Sequence, residues 1–151
     1  MVSHFSVLFT ALCFSTSVAH AVLGENSAKI KEVEEVQLHS KSHTSAKAGC
    51  YTVHQIQLDG VMLKEFEDST GVVFAVSWQG VKPPDLSVIF GSYFQEYKQE
   101  REKISPIKGQ RHVNLQTSSL KVSSGGQMRN LHGFADVPKL VPACVNLETL
   151  N

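Results

Sequence analysis

The sequence lacks an excess of either charge: its 151 residues hold 14 lysines and arginines against 14 aspartates and glutamates. A nucleic-acid-binding surface needs a basic face, and a polybasic membrane anchor needs clustered lysines and arginines. The balance therefore argues against both kinds of partner. Apolar residues make up 42% of the chain, which together with the low net charge excludes intrinsic disorder for most of it.

Motifs of the common enzyme classes are also missing. The sequence contains no G-x-S-x-G nucleophile elbow, no Walker loop, no dinucleotide fingerprint and no H-E-x-x-H motif. His39 and His43 are spaced like paired metal ligands on a helix, but no third ligand follows at a recognisable spacing. The sequence therefore predicts no metal, no other cofactor and no catalytic residue.

The first 21 residues lack any Asp, Glu, Lys or Arg. Their apolar stretch, residues 5–18, is too short for a membrane helix, which needs about 20 apolar residues. Ala19-His20-Ala21 follows it as a small-x-small cleavage site. These features predict a signal peptide over 1–21, cleaved after Ala21, and a periplasmic or secreted protein with no membrane span once the signal is removed.

Cysteine is scarce, with three in the whole chain. Cys13 would leave with the signal, so the mature protein would keep Cys50 and Cys144. Because an even number of cysteines in an oxidising compartment is typical of disulfide bonding, we predict one bridge between them. Two buried free thiols are the alternative.

The mature chain is predicted to contain an N-terminal segment and one domain. The segment, 22–48, would hold a short amphipathic helix over 25–38 and a solvated linker over 39–48, where no apolar period is present. The rest, 49–151, would form a single domain.

An alternating apolar pattern begins at the start of this domain and indicates strands. Segments 50–58 and 61–67 flank Asp59-Gly60, the strongest short signal for a β-hairpin, and a third strand is predicted over 72–79. This register predicts one apolar face made of Val61, Leu63, Phe74, Val76 and Trp78.

A helix is predicted over 86–103, capped by Asp85 and carrying an apolar stripe at helical spacing. Later strands are predicted over 112–117, 119–123 and 127–136, with a turn at Gly125-Gly126. The expected fold is therefore α+β: an antiparallel sheet of five or six strands in two meanders, with one amphipathic helix packed across one face.

Several blocks of this sequence form a recognisable pattern. They are Gly49-x-Tyr51-Thr52-Val53-His54, Gly71-x-Val73-Phe74-Ala75-Val76-x-Trp78-Gln79-Gly80, Pro84-Asp85-Leu86, Gly91-x-Tyr93-Phe94, Ser124-Gly125-Gly126-x-Met128-Arg129 and Pro138-x-Leu140-Val141-Pro142. In these blocks the sequence resembles a family of short exported bacterial proteins classified as a domain of unknown function. The resemblance implies a periplasmic or secreted location and one small domain, and it carries over no activity, cofactor, partner or functional residue.

Three residues are candidates for ligand binding. His54 lies opposite Glu65 in the predicted register. The two residues are either a catalytic base oriented by a carboxylate or a cross-strand polar pair without a catalytic role. Trp78 could border a shallow apolar groove. Arg129 follows Ser124-Gly125-Gly126, which is either an anion-binding nest or a simple turn.

These features favour an exported, non-catalytic binding or accessory module of the cell envelope, whose partner is an envelope protein or a small ligand. One alternative is a small hydrolase-like enzyme using His54 and Arg129. Another is a structural subunit that assembles by β-augmentation.

The predicted cleavage can be tested directly. Because Ala19-His20-Ala21 precedes the cut, exported protein should begin at Val22, and N-terminal sequencing of that material measures this. Exported protein that begins at Met1 would contradict the prediction.

Overall fold

A computed structural model describes residues 23–26, 41–105, 109 and 111–150. The predicted signal peptide, its cleavage site at Ala21 and most of the predicted helix over 25–38 lie outside these residues. The described chain is an α+β fold built on one antiparallel sheet. Its strands are β1 (Ser42–Ala48), β2 (Tyr51–Leu58), β3 (Val61–Glu67), β4 (Val73–Gly80), β5 (His112–Gln116), β6 (Lys121–Gln127) and β7 (Asn130–Asp136).

The strand order is β1-β2-β3-β4-β7-β6-β5, so the two predicted meanders join where β4 pairs with β7. The helical segment between β4 and β5 contains α1 (Leu86–Phe90), a 3-10 turn (Gly91–Tyr93) and α2 (Phe94–Lys103). Asp85 caps it as predicted, because its side chain accepts a hydrogen bond from the Ser87 backbone N–H. No helix in the described ranges is long and apolar enough to cross a membrane.

The sheet has seven strands, so the expectation of five or six is wrong. The additional strand is β1, which occupies most of the segment predicted to be a solvated linker. Its side chains are nearly all exposed. Because neither face of β1 is buried, its sequence does not alternate between apolar and polar residues, and that alternation is what identifies a strand in a sequence. Its backbone nevertheless pairs with β2 along its whole length, from Ser42↔Gln57 to Ala48↔Tyr51.

The hairpin register around Asp59-Gly60 is confirmed, with Leu58 paired to Val61 and His54 to Glu65.

The turn predicted at Gly125-Gly126 is wrong. Gly125 and Gly126 lie inside β6, and the β6–β7 turn is formed by Met128 and Arg129, with Arg129 at a φ of 67°. A Cβ on Gly125 would lie 2.1 Å from the His112 ring, so this glycine makes room for a side chain on the neighbouring strand.

The sheet buries apolar side chains on both faces. The helix face, named for the helical segment that packs on it, carries buried residues of β2 to β7 that form one apolar cluster with Ile89 and Phe90. The tail face, named for the C-terminal segment over 137–150, carries Phe66, Ala75 and Phe134 in contact with that segment.

A bulge in β4 decides which face one predicted core residue joins. Val61, Leu63, Val76 and Trp78 lie on the helix face as predicted. Phe74 instead joins the tail face, because the β3–β4 register shifts between Phe66 and Glu67. A bulge interrupts the strict alternation on which the prediction depended.

Trp78 lies at the centre of the helix face. It pairs with Leu63 on one side and Gly133 on the other, and its ring meets the Phe90 ring at a centroid distance of 6.2 Å. A Cβ on Gly133 would lie 2.1 Å from the indole, so glycine is the residue that lets the indole lie across β7. The indole is therefore a core side chain.

The predicted disulfide is confirmed. Cys50 lies in the two-residue turn between β1 and β2, and Cys144 lies in the C-terminal segment, with their Cα atoms 6.6 Å apart. The bond therefore ties the first hairpin to the segment that covers the tail face. Closing a loop of nearly 100 residues restricts the unfolded chain and is worth roughly 2–5 kcal/mol.

Replacing Trp78 tests this packing. We expect Trp78→Ala to lower the free energy of unfolding by about 3–5 kcal/mol, because truncating a large core side chain leaves a cavity. Urea unfolding followed by circular dichroism measures the change. Met128→Ala is the control: Met128 is 93% exposed, and its loss should change stability by less than about 0.5 kcal/mol. Equal stabilities for the two variants would contradict the assignment.

Candidate functional site

The three sequence-predicted ligand residues lie in three separate environments. Trp78 is only 4% exposed and packs in the core. Arg129 is exposed at the tip of the β6–β7 hairpin. His54 lies on β2, and strands β3 and β4 separate it from β7. With strands about 4.8 Å apart, His54 is at least roughly 14 Å from the Arg129 hairpin. The fold therefore does not bring His54 and Arg129 together.

His54 makes two side-chain contacts. Its Nε2 lies 2.7 Å from Oε2 of Glu67, and its Nδ1 lies 3.0 Å from Nε2 of His43. Glu65, the residue directly opposite on β3, is buried beside it. The carboxylate that bonds the ring is thus the diagonal neighbour on β3. Diagonal contacts are within reach of long side chains on an antiparallel sheet.

A cavity of about 330 Å³ lies on the tail face, over strands β5, β6 and β7. This volume is at the small end of the range for ligand-binding pockets. The C-terminal segment packs against Phe66, Phe74, Ala75 and Phe134, whereas the cavity lies beyond Phe134 toward the β5 edge. The side chains of the tail face that line it are Asn114, Gln116, Lys121, Ser123, Phe134 and Asp136.

Asp136 is the unusual group in this cavity. The residue is 5% exposed, and no described residue forms a hydrogen bond with its Oδ2. Burial raises the pKa of the Asp136 carboxyl above its ordinary value of 3.8, and the Lys121 ammonium on the adjacent strand partly opposes that increase. A buried polar atom without a partner costs free energy, so this oxygen would gain from a ligand that donates a hydrogen bond.

The rest of the cavity offers both polar and apolar contacts. Ser123 donates a hydrogen bond to Oδ1 of Asn114 across the β5–β6 pair, at 2.8 Å. Lys121 lies directly opposite Asp136, and Phe134 presents an aromatic side chain beside them. This arrangement suits a compact molecule with one donor group and one apolar face.

Sequence reasoning missed this cavity. Its residues are dispersed over three strands, and Asp136 stands at the end of a predicted strand, where an exposed carboxylate is the ordinary expectation. One signal was present: Phe134 and Asp136 are two residues apart on β7, so their side chains share one face of the sheet. The period-two pattern could have identified the pair, but not its burial.

The described part of the chain contains no group of three or more His, Cys, Asp or Glu side chains arranged to hold a metal ion.

A family model with the description "Protein of unknown function (DUF2844)" matches residues 19–150, which confirms the resemblance to a domain of unknown function. No curated protein and no solved structure matches the chain.

The raised pKa of Asp136 makes a prediction about stability and pH. A carboxyl group with a raised pKa stabilises the fold while it is protonated, and this contribution is lost as the pH rises through the folded-state pKa. Asparagine stays neutral and keeps the shape. We therefore expect Asp136→Asn to gain stability relative to wild type as the pH rises from 3.8, and to be the more stable protein at pH 7. Urea unfolding at several pH values measures the difference, and a difference that does not change with pH would contradict the prediction.

Proposed function

The chain belongs to the DUF2844 family of proteins of unknown function, and we propose that this member is an exported, non-catalytic binding module of the cell envelope. Its ligand would be a small molecule held in the tail-face cavity. The observation that carries the proposal is Asp136, whose buried Oδ2 has no hydrogen-bond partner in the described chain and borders a cavity of about 330 Å³.

Export is supported by two features. The Cys50–Cys144 bond is typical of oxidising compartments, where thiols are not kept reduced. The uncharged first 21 residues, ending in Ala19-His20-Ala21, have the form of a cleaved signal. Together they favour a periplasmic or secreted protein.

The chemistry of the cavity supports a particular class of ligand. The unpartnered Asp136 oxygen accepts a hydrogen bond, so the ligand should carry an N–H or O–H donor. Phe134 provides an aromatic surface beside it, so the ligand should also have an apolar face. A small amine or alcohol attached to an apolar group meets both requirements, and a cationic amine would in addition favour the ionised carboxylate.

A binding function accounts for these residues better than hydrolysis does. Nucleophilic or acid–base catalysis needs a base within hydrogen-bond reach of a second reacting group. His54 and Arg129, the residues of the hydrolase hypothesis, are separated by two strands of the sheet. Asp136 lies beside Lys121 and Phe134, which form a recognition surface.

Assembly by β-augmentation is the second candidate, and one observation favours it. The sheet is open, and among the described strands both β1 and β5 pair on one side only. An added strand could pair with either edge. Exposed lysines discourage edge pairing, and β1 carries one, Lys47. An added strand would therefore join β5, which has no lysine.

Nuclear magnetic resonance titration of the oxidised, ¹⁵N-labelled protein tests the binding proposal. The probes are benzylamine, benzyl alcohol and benzyltrimethylammonium, because the last keeps the charge and ring of the amine and has no hydrogen-bond donor. We expect benzylamine to shift the amide signals of Ser123, Phe134 and Asp136 with a Kd of about 1 mM, as for other small fragments. The quaternary ammonium should bind at least several-fold more weakly.

Asp136→Asn should weaken benzylamine binding, because the amide loses the charge that pairs with the ammonium. Asp59→Asn is the matched control, since Asp59 is an exposed aspartate in the β2–β3 turn. Binding that is unchanged in Asp136→Asn, or probe-induced shifts confined to other parts of the sheet, would contradict the proposal.

A further inference from the structure

A second group of polar side chains lies on the helix face, on the opposite side of the sheet from the cavity. His43 on the edge strand β1 and His54 on β2 approach each other, with Nε2 of His43 3.0 Å from Nδ1 of His54. Behind them, Glu67 on β3 lies 2.7 Å from the other ring nitrogen of His54. The side chains of His54 and Glu67 are only 16% and 15% exposed, whereas His43 is exposed.

Glu67 determines where the proton of the neutral His54 ring resides. An ionised carboxylate only accepts hydrogen bonds, so Nε2 of His54 must carry the hydrogen that it donates to Glu67. The lone pair of that neutral ring is then on Nδ1, the atom that faces His43. In metal proteins, a carboxylate bonded to the far nitrogen of a histidine orients the ring in the same way and makes it a better ligand.

We propose that His43 and His54 together bind a divalent transition-metal ion, with Glu67 as the positioning residue for His54. The ion would be bound by Nε2 of His43 and Nδ1 of His54. It would replace the hydrogen bond between these two atoms, and the hydrogen that Nε2 of His43 donates there would move through solvent to Nδ1 of the same ring. Because only two protein ligands take part, its remaining coordination positions would hold water or an external ligand, as at an open rather than a structural site.

The separation of the rings suits such an ion. Their centroids lie 5.2 Å apart, and two imidazoles bound to one tetrahedral ion at about 2.0–2.1 Å place their centroids roughly 5 Å apart. The two nitrogen atoms would need to separate from 3.0 Å to about 3.3 Å. Rotation of the exposed His43 ring would supply this small increase in distance.

The charge of the surroundings also favours a cation. Glu67 contacts His54 directly, at 2.7 Å. Imidazole ligands suit zinc and copper, whereas calcium and magnesium prefer oxygen ligands. For a given set of nitrogen ligands, Cu²⁺ binds more tightly than Zn²⁺. We therefore expect Cu²⁺ to bind most tightly, Zn²⁺ more weakly and Mg²⁺ not at all.

Isothermal titration calorimetry of the full chain, produced without a histidine tag, tests the proposal with Zn²⁺, Cu²⁺ and Mg²⁺ as separate probes. We expect one Zn²⁺ per chain. His43→Gln and His54→Gln should each weaken Zn²⁺ binding at least tenfold, because each removes one of the two ligands. Glu67→Gln should weaken it about tenfold, at the lower end of the usual effect of losing an orienting carboxylate.

A second histidine pair provides the matched control. His112 and His132 lie on the tail face with ring centroids 6.0 Å apart, and no carboxylate in the described residues bonds either ring. His132→Gln should leave Zn²⁺ affinity within about twofold of wild type. Should His54→Gln fail to fold, as judged by circular dichroism, His43→Gln carries the test, because His43 is exposed on the edge strand and lies outside the buried core.

A melting curve adds a readout apart from affinity. An ion that joins β1 to β2 in the folded state alone should raise the melting temperature of wild type and not that of His43→Gln. The proposal is overturned if Zn²⁺ binds His43→Gln as tightly as wild type, if His132→Gln abolishes binding, or if neither Zn²⁺ nor Cu²⁺ binds at one ion per chain.

Discussion

The pairing of β4 with β7 is the interaction on which the rest of this structure depends. It is the one strand contact that joins the β1–β4 meander to the β5–β7 meander in the described chain. At its centre the indole of Trp78 lies across Gly133, where any side chain would clash with the ring. The helical segment then packs against the same place through Phe90. Loss of this contact would separate the four strands β1–β4 from the three strands β5–β7 and would divide the apolar cluster that both parts share.

The joined sheet has two unlike faces, and the difference explains where ligands could bind. The helix face is filled by apolar side chains from both meanders and from the helical segment. On the tail face the covering is a short C-terminal segment, held to the first hairpin by the Cys50–Cys144 bond. That segment covers the aromatic cluster around Phe66 and Phe134 and leaves Asp136 bordering a cavity. The cavity beside Asp136 therefore exists because the C-terminal segment covers only part of the tail face.

The two proposed sites use different chemistry on opposite faces. The cavity presents an acceptor oxygen beside an aromatic ring and suits a small donor molecule. The histidine pair on β1 and β2 presents nitrogen lone pairs oriented by Glu67, and it suits a transition-metal ion. Both positions require a partly buried carboxylate. In Asp136 the carboxylate would contact the ligand itself, whereas in Glu67 it would act through a histidine.

The sequence by itself determined the features whose physical causes are local. Asp59-Gly60 set the hairpin register because a tight turn leaves one pairing, and Asp85 capped the helix through its own neighbour Ser87. Two cysteines outside the predicted signal peptide allowed one bridge between them. The tertiary structure alone decided the rest. β1 is held by backbone pairing without an apolar face, Gly125 makes room for His112 from another strand, and Phe74 changes face at a bulge. Asp136 and the His43–His54 pair become candidate sites only where distant strands meet, because burial and side-chain distance depend on residues far apart in the chain.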